Sequence, residues 1–141
     1  MASGDPLEDH VGVALRHAYQ RALANLTERI SRFDLSPLGF SVLVRLHDSG
    51  PWTQNSLGRS IFMEPANIAA LVGRLEDRGL VAREPDPNDR RAIRVSITPA
   101  GVELLAVARG EADAANAHTL SVLAPAERTQ LMALLRKLTK G

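Results

Sequence analysis

The densest group of reactive side chains in this sequence is a run of charge through Asp89, Arg90, Arg91 and Arg94, following the turn-forming stretch Pro85-Asp86-Pro87-Asn88. A guanidinium is a permanently charged fork that donates paired hydrogen bonds to phosphates and to guanine edges. An arginine at a turn tip reaches outward, and Arg91 is placed to enter a minor groove, where negative potential is strongest over narrow A·T-rich duplex. Asp89, two residues back, is positioned to hold that guanidinium in one pose. Arg90 and Arg94 are then candidate phosphate partners, as are Gln54, Asn55 and Arg83. A second group lies on residues 65–78, where Ala66, Ala69, Ala70, Gly73 and Asp77 share one side of a helical wheel and Asn67 and Arg74 flank it. Small side chains let a backbone sit deep in a major groove, alanine methyls meet thymine methyls, and Asn67 or Arg74 reaches adenine or guanine edges. Each feature alone also describes an ordinary solvated surface, so the succession of helix and charged turn carries the information.

Other chemistries find little support. The chain has no Cys, which removes disulfides, thiolate metal ligands and thiol redox sensing. Of its four histidines, His10 and His17 stand seven apart and His118 lies far downstream; no compact ligand spacing results, and no metal is expected. There is no Gly-rich phosphate loop, no nucleophile elbow and no zinc-protease helix, and the acidic residues are scattered, so neither catalysis nor a cofactor is expected. A net charge of +1 makes any attraction to a polyanion local rather than global. Of the 17 Lys and Arg only Lys137 and Lys140 are lysines, a bias that suits phosphate contacts and that GC-rich coding would equally produce. No signal peptide and no apolar run long enough to span a bilayer is present, and the expectation is a one-domain cytoplasmic protein of 141 residues.

The elements that must position these groups are marked by proline, whose fixed φ and missing N–H suit the first position of a helix. Ser36-Pro37, Glu64-Pro65, Thr98-Pro99 and Ala124-Pro125 each precede an apolar rhythm, placing four helix starts. Ahead of them, after a polar and fraying Met1 to Pro6, Leu15, Tyr19, Ala22, Leu23, Leu26, Ile30 and Phe33 recur at three- and four-residue steps as the stripe of a long first helix. Tyr19 and Phe33 are expected in its core. The second helix carries Phe40, Leu43, Val44 and Leu46 and stops near Gly50; a third follows Thr53 as N-cap, buries Leu57 and Ile61, and has Trp52 at its start. The fourth buries Ile68, Leu71, Val72 and Leu75 and stops at Gly79-Leu80. Residues 81–84 make a short strand, and Ile93, Val95 and Ile97 alternate with Arg94, Ser96 and Thr98 as its return, forming a β-wing. Two more helices close the chain, one through about Leu120 and a last one striped by Leu131, Leu134, Leu135 and Leu138.

Thr53-Gln54, Glu64-Pro65-Ala66-Asn67, Arg74-Leu75-Glu76-Asp77-Arg78-Gly79-Leu80-Val81 and Asp89-x-Arg91, with Ile97-Thr98-Pro99-Ala100-Gly101 beyond, resemble the MarR family of bacterial transcription regulators over essentially the whole chain. The resemblance implies a mainly α fold with a β-wing: a winged helix-turn-helix flanked by dimerisation helices, about six helices and two to three strands. It also implies an obligate homodimer on pseudo-palindromic double-stranded DNA, and usually release of repression by a small-molecule effector. It assigns Asp89 and Arg91 the roles given above. Many family members place polar or basic residues where Ala69 and Ala70 stand here.

The organisation expected is an N-terminal dimerisation helix over 1–35, a DNA-binding lobe over 36–98 and C-terminal dimerisation helices over 99–141. Leu15 and Tyr19 with Leu131, Leu134, Leu135 and Leu138 are the dimerisation residues, because the outer helices carry more apolar surface than a winged core can cover. Recognition helices related by a two-fold axis must enter major-groove faces roughly 34 Å apart. An effector pocket is expected between the first, second and fifth helices, with the effector's identity open. Repression, a protein-docking role for the wing and an effector-free nucleoid-type binder are separable by whether DNA is bound selectively.

Overall fold

The structure, a computed structural model, describes residues 6–141. Residues 1–5 of the stretch expected to fray lie outside the described residues, and Pro6 opens a 3₁₀ turn, Pro6–Asp9. The described elements run α1 (Val11–Ile30), a 3₁₀ turn (Ser31–Phe33), α2 (Pro37–Ser49), β1 (Trp52–Thr53), α3 (Gln54–Ser60), α4 (Pro65–Asp77), β2 (Val81–Pro85), β3 (Ile93–Ile97), α5 (Pro99–Leu120) and α6 (Pro125–Lys140). All four proline-marked helix starts are in place. The fold is mainly helical with one small sheet, a winged helix-turn-helix.

The described residues form two compact units, one from those up to Arg29 together with Ala112–Gly141, the other from Ile30–Glu111. In the first, Asn25 Nδ2 donates to Thr119 Oγ1 at 2.9 Å and Ala115 is buried. The α1 stripe divides along its length: Ala22, Leu23 and Leu26 are half-buried, while Leu15 is exposed. Tyr19 is 58% exposed and therefore not a core residue. The periodicity that suggested burial records only that the face is apolar. On α6, Leu131 and Leu135 are half-buried and Leu134 and Leu138 are 50% and 60% exposed.

The second unit holds the main core. Val42, Leu43 and Leu46 of α2, Leu57 of α3, Ile68, Leu71, Val72 and Leu75 of α4, and Val95 of β3 pack in one cluster with Leu105 and Ala108 of α5. Ile61 is half-buried just beyond α3, and Phe33 packs against the cluster from its 3₁₀ turn. The sheet order is β1-β3-β2, all antiparallel, with Trp52 opposite Val95 and Arg83 opposite Val95 on the other side. Pro85, which has no N–H to give a ladder, ends the edge strand β2. Trp52 is a strand residue, not the start of α3; its indole N–H donates to Arg45 O and Ser49 Oγ, both at 3.2 Å, fastening β1 to α2.

Helices α3 and α4 stop in the same way. After α4, Gly79 takes φ 73°, its N–H donates to Glu76 O at 2.8 Å, and the Leu80 N–H donates to Leu75 O at 3.0 Å, the paired bonds of a Schellman stop. After α3, Phe62 takes φ 58°, its N–H donates to Arg59 O at 3.2 Å and the Met63 N–H donates to Gly58 O at 2.8 Å. Left-handed backbone costs a residue bearing a β-carbon about 1–2 kcal/mol, so the second stop is built from the unfavourable residue type.

Thr98 joins the wing to α5. Its N–H donates to Leu80 O at 3.0 Å, its hydroxyl donates to Gly79 O at 2.6 Å and accepts from the Gly101 N–H at 3.1 Å, capping α5. Gly101 lies against this junction so closely that a β-carbon would fall 2.2 Å from Leu80 O and 2.7 Å from Ile97 Cγ1.

Candidate nucleic-acid interface

The wing tip is organised by its own aspartates. Asp86 Oδ1 accepts from the backbone N–H of Asn88 at 2.8 Å and of Asp89 at 3.1 Å, the Asp86 N–H donates to Ala92 O at 3.0 Å, and the Ala92 N–H donates to Asp89 O at 2.9 Å. Asp89 Oδ1 accepts from the Arg91 backbone N–H at 3.0 Å. Its carboxylate therefore fixes the main chain of Arg91 rather than gripping the guanidinium, because the nearest donor to an aspartate in a tight turn is the amide two residues on. The result is a stiff tip with Arg90 and Arg91 exposed.

Arg83 and Arg94 have partners inside the lobe. Arg83 donates from Nε (3.2 Å) and from a terminal nitrogen (3.1 Å) to Glu76 Oε1, and its backbone N–H donates to Glu76 Oε2 at 3.1 Å. Its other terminal nitrogen lies 3.5 Å from Gln54 Oε1. One guanidinium thus joins α4, β2 and the start of α3. Arg94 is paired with Glu84 directly across the β2–β3 ladder. Gln54 is only 8% exposed, so this candidate phosphate ligand is instead a buried acceptor for Arg83, whereas Asn55 beside it is exposed.

The concavities around the wing show which candidates meet. Thr53, Gln54, Asn55, Arg91, Ala92 and Ile93 line one, and Arg83, Glu84, Pro85 and residues 90–93 line another, so Arg91 borders both. On α4, Ala66, Asn67, Ala70 and Arg74 are exposed and Ala69 is half-buried, opposite the buried Ile68, Leu71, Val72 and Leu75. The Arg83 guanidinium lies 3.5 Å from where a β-carbon on Gly73 would stand, an ordinary contact distance. Glu64 caps α4 without a side-chain bond, and Pro65 occupies its first position.

Two fastening residues escape sequence reasoning. Glu76 reads there as a helix-surface acid. Arg78 donates to Phe33 O at 2.9 Å and also to Asp34 O, tying the end of α4 to the entry of α2 across more than forty residues of chain, a separation that no local pattern signals. His10, His17 and His118 gather no ion-binding group; among the described residues no three His, Asp or Glu cluster so as to hold a metal. No described helix is long and apolar enough to cross a membrane.

Two carboxylates here have lowered pKa values. Hydrogen bonds from the Arg83 side chain, then from its backbone N–H, hold Glu76 below the ordinary glutamate value. A hydrogen bond from Arg109, then one from His47, brings Asp48 down to about 2. A group whose folded pKa is depressed contributes stability above its unfolded pKa, and that contribution is lost as pH falls toward the folded value. Both pairs are open to solvent, so each contribution is small. Stability should fall from about pH 5 to pH 2, and Glu76→Gln with Asp48→Asn should flatten that slope in thermal melts across the range. An unchanged slope would mean that these pairs do not couple to folding.

Comparison with known proteins places this geometry. The MarR family matches residues 35–93. The chain is 35% identical to the HTH-type transcriptional repressor NicR of Pseudomonas putida, over 92% of its own length and 82% of that protein. Among solved structures it resembles Bordetella bronchiseptica BpsR, described in terms of regulation of DNA binding by 6-hydroxynicotinic acid, at 32% identity and a TM-score of 0.89 over 99% of both chains. It also resembles the transcriptional repressor CouR bound to a 23-mer DNA duplex, at 25% identity and a TM-score of 0.90 over 99% of both. With the winged lobe, its self-capped tip and relatives matched along most of their length, this chain belongs to the MarR family of transcription regulators.

Proposed function

We propose that the protein is a cytoplasmic, dimeric repressor that binds a pseudo-palindromic operator and is released from it by a small aromatic acid. The observation that carries this reading is the stiff wing tip with Arg90 and Arg91 exposed, one strand beyond a helix that exposes Ala66, Asn67, Ala70 and Arg74. In this reading α4 enters the major groove. Asn67 and Arg74 reach base edges there, and Ala66, Ala69 and Ala70 allow close approach to thymine methyls. Arg91 enters the minor groove, and Arg90 and Asn55 meet phosphates. Asp89, Arg83, Arg94 and Gln54 act indirectly, by holding the wing and α3 in register.

Residues 36–98 are the DNA-binding lobe in this proposal, and 1–35 with 99–141 supply the dimer. Leu15, Tyr19, Leu131, Leu134, Leu135 and Leu138 form its contact, supported by the apolar area that α1 and α6 leave exposed. The effector class is supported by the 6-hydroxynicotinic acid response of BpsR.

The test is a gel-shift on the DNA upstream of the chain's own gene with non-specific competitor present, followed by titration of 6-hydroxynicotinic acid into the complex. Selective retention and its loss on titration are expected. Retention without selectivity would favour a nucleoid-type binder, and no retention a protein-docking module. Leu134→Glu with Leu138→Glu should yield a monomer by sedimentation and remove selective binding, because two half-sites are then no longer linked. A dimer surviving both substitutions would move the contact elsewhere.

A further inference from the structure

Phe62 is the one large apolar side chain of the DNA-binding unit that stands almost wholly in solvent, 92% exposed among described residues. It also occupies the left-handed position of the stop after α3, at φ 58°. The same motif after α4 uses Gly79, at φ 73°, so this chain closes a helix in the same way without a side chain. The phenyl ring neither packs into the core nor eases the turn. Two independent costs, backbone strain and apolar exposure, fall on one residue, and strained residues of this kind persist where they serve a function.

Its place suggests the function. Phe62 lies three residues before Pro65, in the turn that leads into α4, whose exposed first residues are Pro65, Ala66 and Asn67. If the N-terminal part of that helix meets base edges, the turn before it runs along the rim of the same groove. The rim offers apolar carbon as well as phosphate: the faces of deoxyribose and the 5-methyl groups of thymine.

We propose that Phe62 is an apolar DNA contact, its ring covering duplex carbon surface at the edge of the major groove. The inference rests on the DNA-binding reading above. It makes the turn of the helix-turn-helix a positioning element that adds affinity without charge.

The test compares wild type, Phe62→Gly, Phe62→Asn and Phe62→Tyr on the operator. Gly and Asn both accept left-handed backbone, so the fold is kept, and the melting temperature should rise or stay level. Operator affinity should fall about tenfold per protomer for Gly and Asn, the loss expected for uncovering roughly half a phenyl ring, and Tyr should restore it. The salt dependence of binding should be unchanged, since no phosphate neutralisation is lost. Replacing rim thymines by deoxyuridine separates the two sources of carbon: affinity falls if the ring meets methyls and holds if it meets deoxyribose, and the proposal requires that the Phe62→Gly loss shrink only in the first case. Wild-type affinity in Phe62→Gly, alongside weakened binding by Arg91→Ala, would overturn this proposal and leave the DNA-binding reading intact. A lower melting temperature in both Gly and Asn variants would overturn it by making the ring structural. If wild type itself fails to select the operator, the underlying reading fails.

Discussion

Arg91→Ala is expected to weaken operator binding by about a hundredfold while leaving the melting temperature and the dimer unchanged. A single groove contact is worth about 1–3 kcal/mol, and a two-fold operator complex loses two of them. The folded state loses little, since the Arg91 backbone N–H, not its side chain, makes the hydrogen bond to Asp89 and survives truncation of the side chain. If the guanidinium releases counterions on binding, the slope of log affinity against log salt should also fall by about two for the dimer. Fluorescence anisotropy on the operator at several salt concentrations reads both quantities. Unchanged affinity and slope would take the wing out of the mechanism. Asp89→Ala should weaken binding less, because it removes a support of the tip and not the contact itself.

Gly101→Ala is expected to be the most damaging single methyl group at any glycine of the unit Ile30–Glu111. A β-carbon there would meet the backbone oxygen of Leu80 at 2.2 Å, and backbone cannot move aside as a flexible side chain does. Overpacking of this kind costs about 3 kcal/mol, equivalent to a fall of about 10 °C in melting temperature for a chain of this size. Relief requires α5 to pull away from the stop after α4, which breaks the bonds of Thr98 to Gly79 and Leu80. DNA affinity should then fall together with stability, unlike in the Arg91 variant. A melting temperature within a few degrees of wild type would show that the junction yields more readily than its distances imply.

The parts of this fold that were legible in the sequence are those with a local cause. Proline at helix starts, Gly79 at the stop of α4 and the alternation through Ile93, Val95 and Ile97 each act within a few residues, and the structure has the helices, the stop and the strand where those signals put them. β1 is two residues long, too short to show a period, and Trp52 could be recognised as a strand residue only through its pairing with Val95. The site divides similarly. The exposed small-residue face of α4 and the charged tip follow from spacing. Which arginines are already engaged does not: Glu76 lies seven residues from Arg83 on another element, and Gln54 is twenty-nine residues away. The sequence alone therefore put Arg83, Arg94 and Gln54 in one class with Arg90 and Asn55. Phe62 left no signal in the sequence, because neither a left-handed φ nor 92% exposure shows in a local residue pattern.

The position of β3 between its two neighbours has a mechanical consequence. One edge is laced to the strand that Trp52 anchors on α2, and the other to the strand whose Arg83 is clamped on α4. A body braced on both flanks has no hinge between its reading helix and its protruding finger. Under the proposed release by an effector, helix and finger would leave DNA together, since bending one against the other would break the brace.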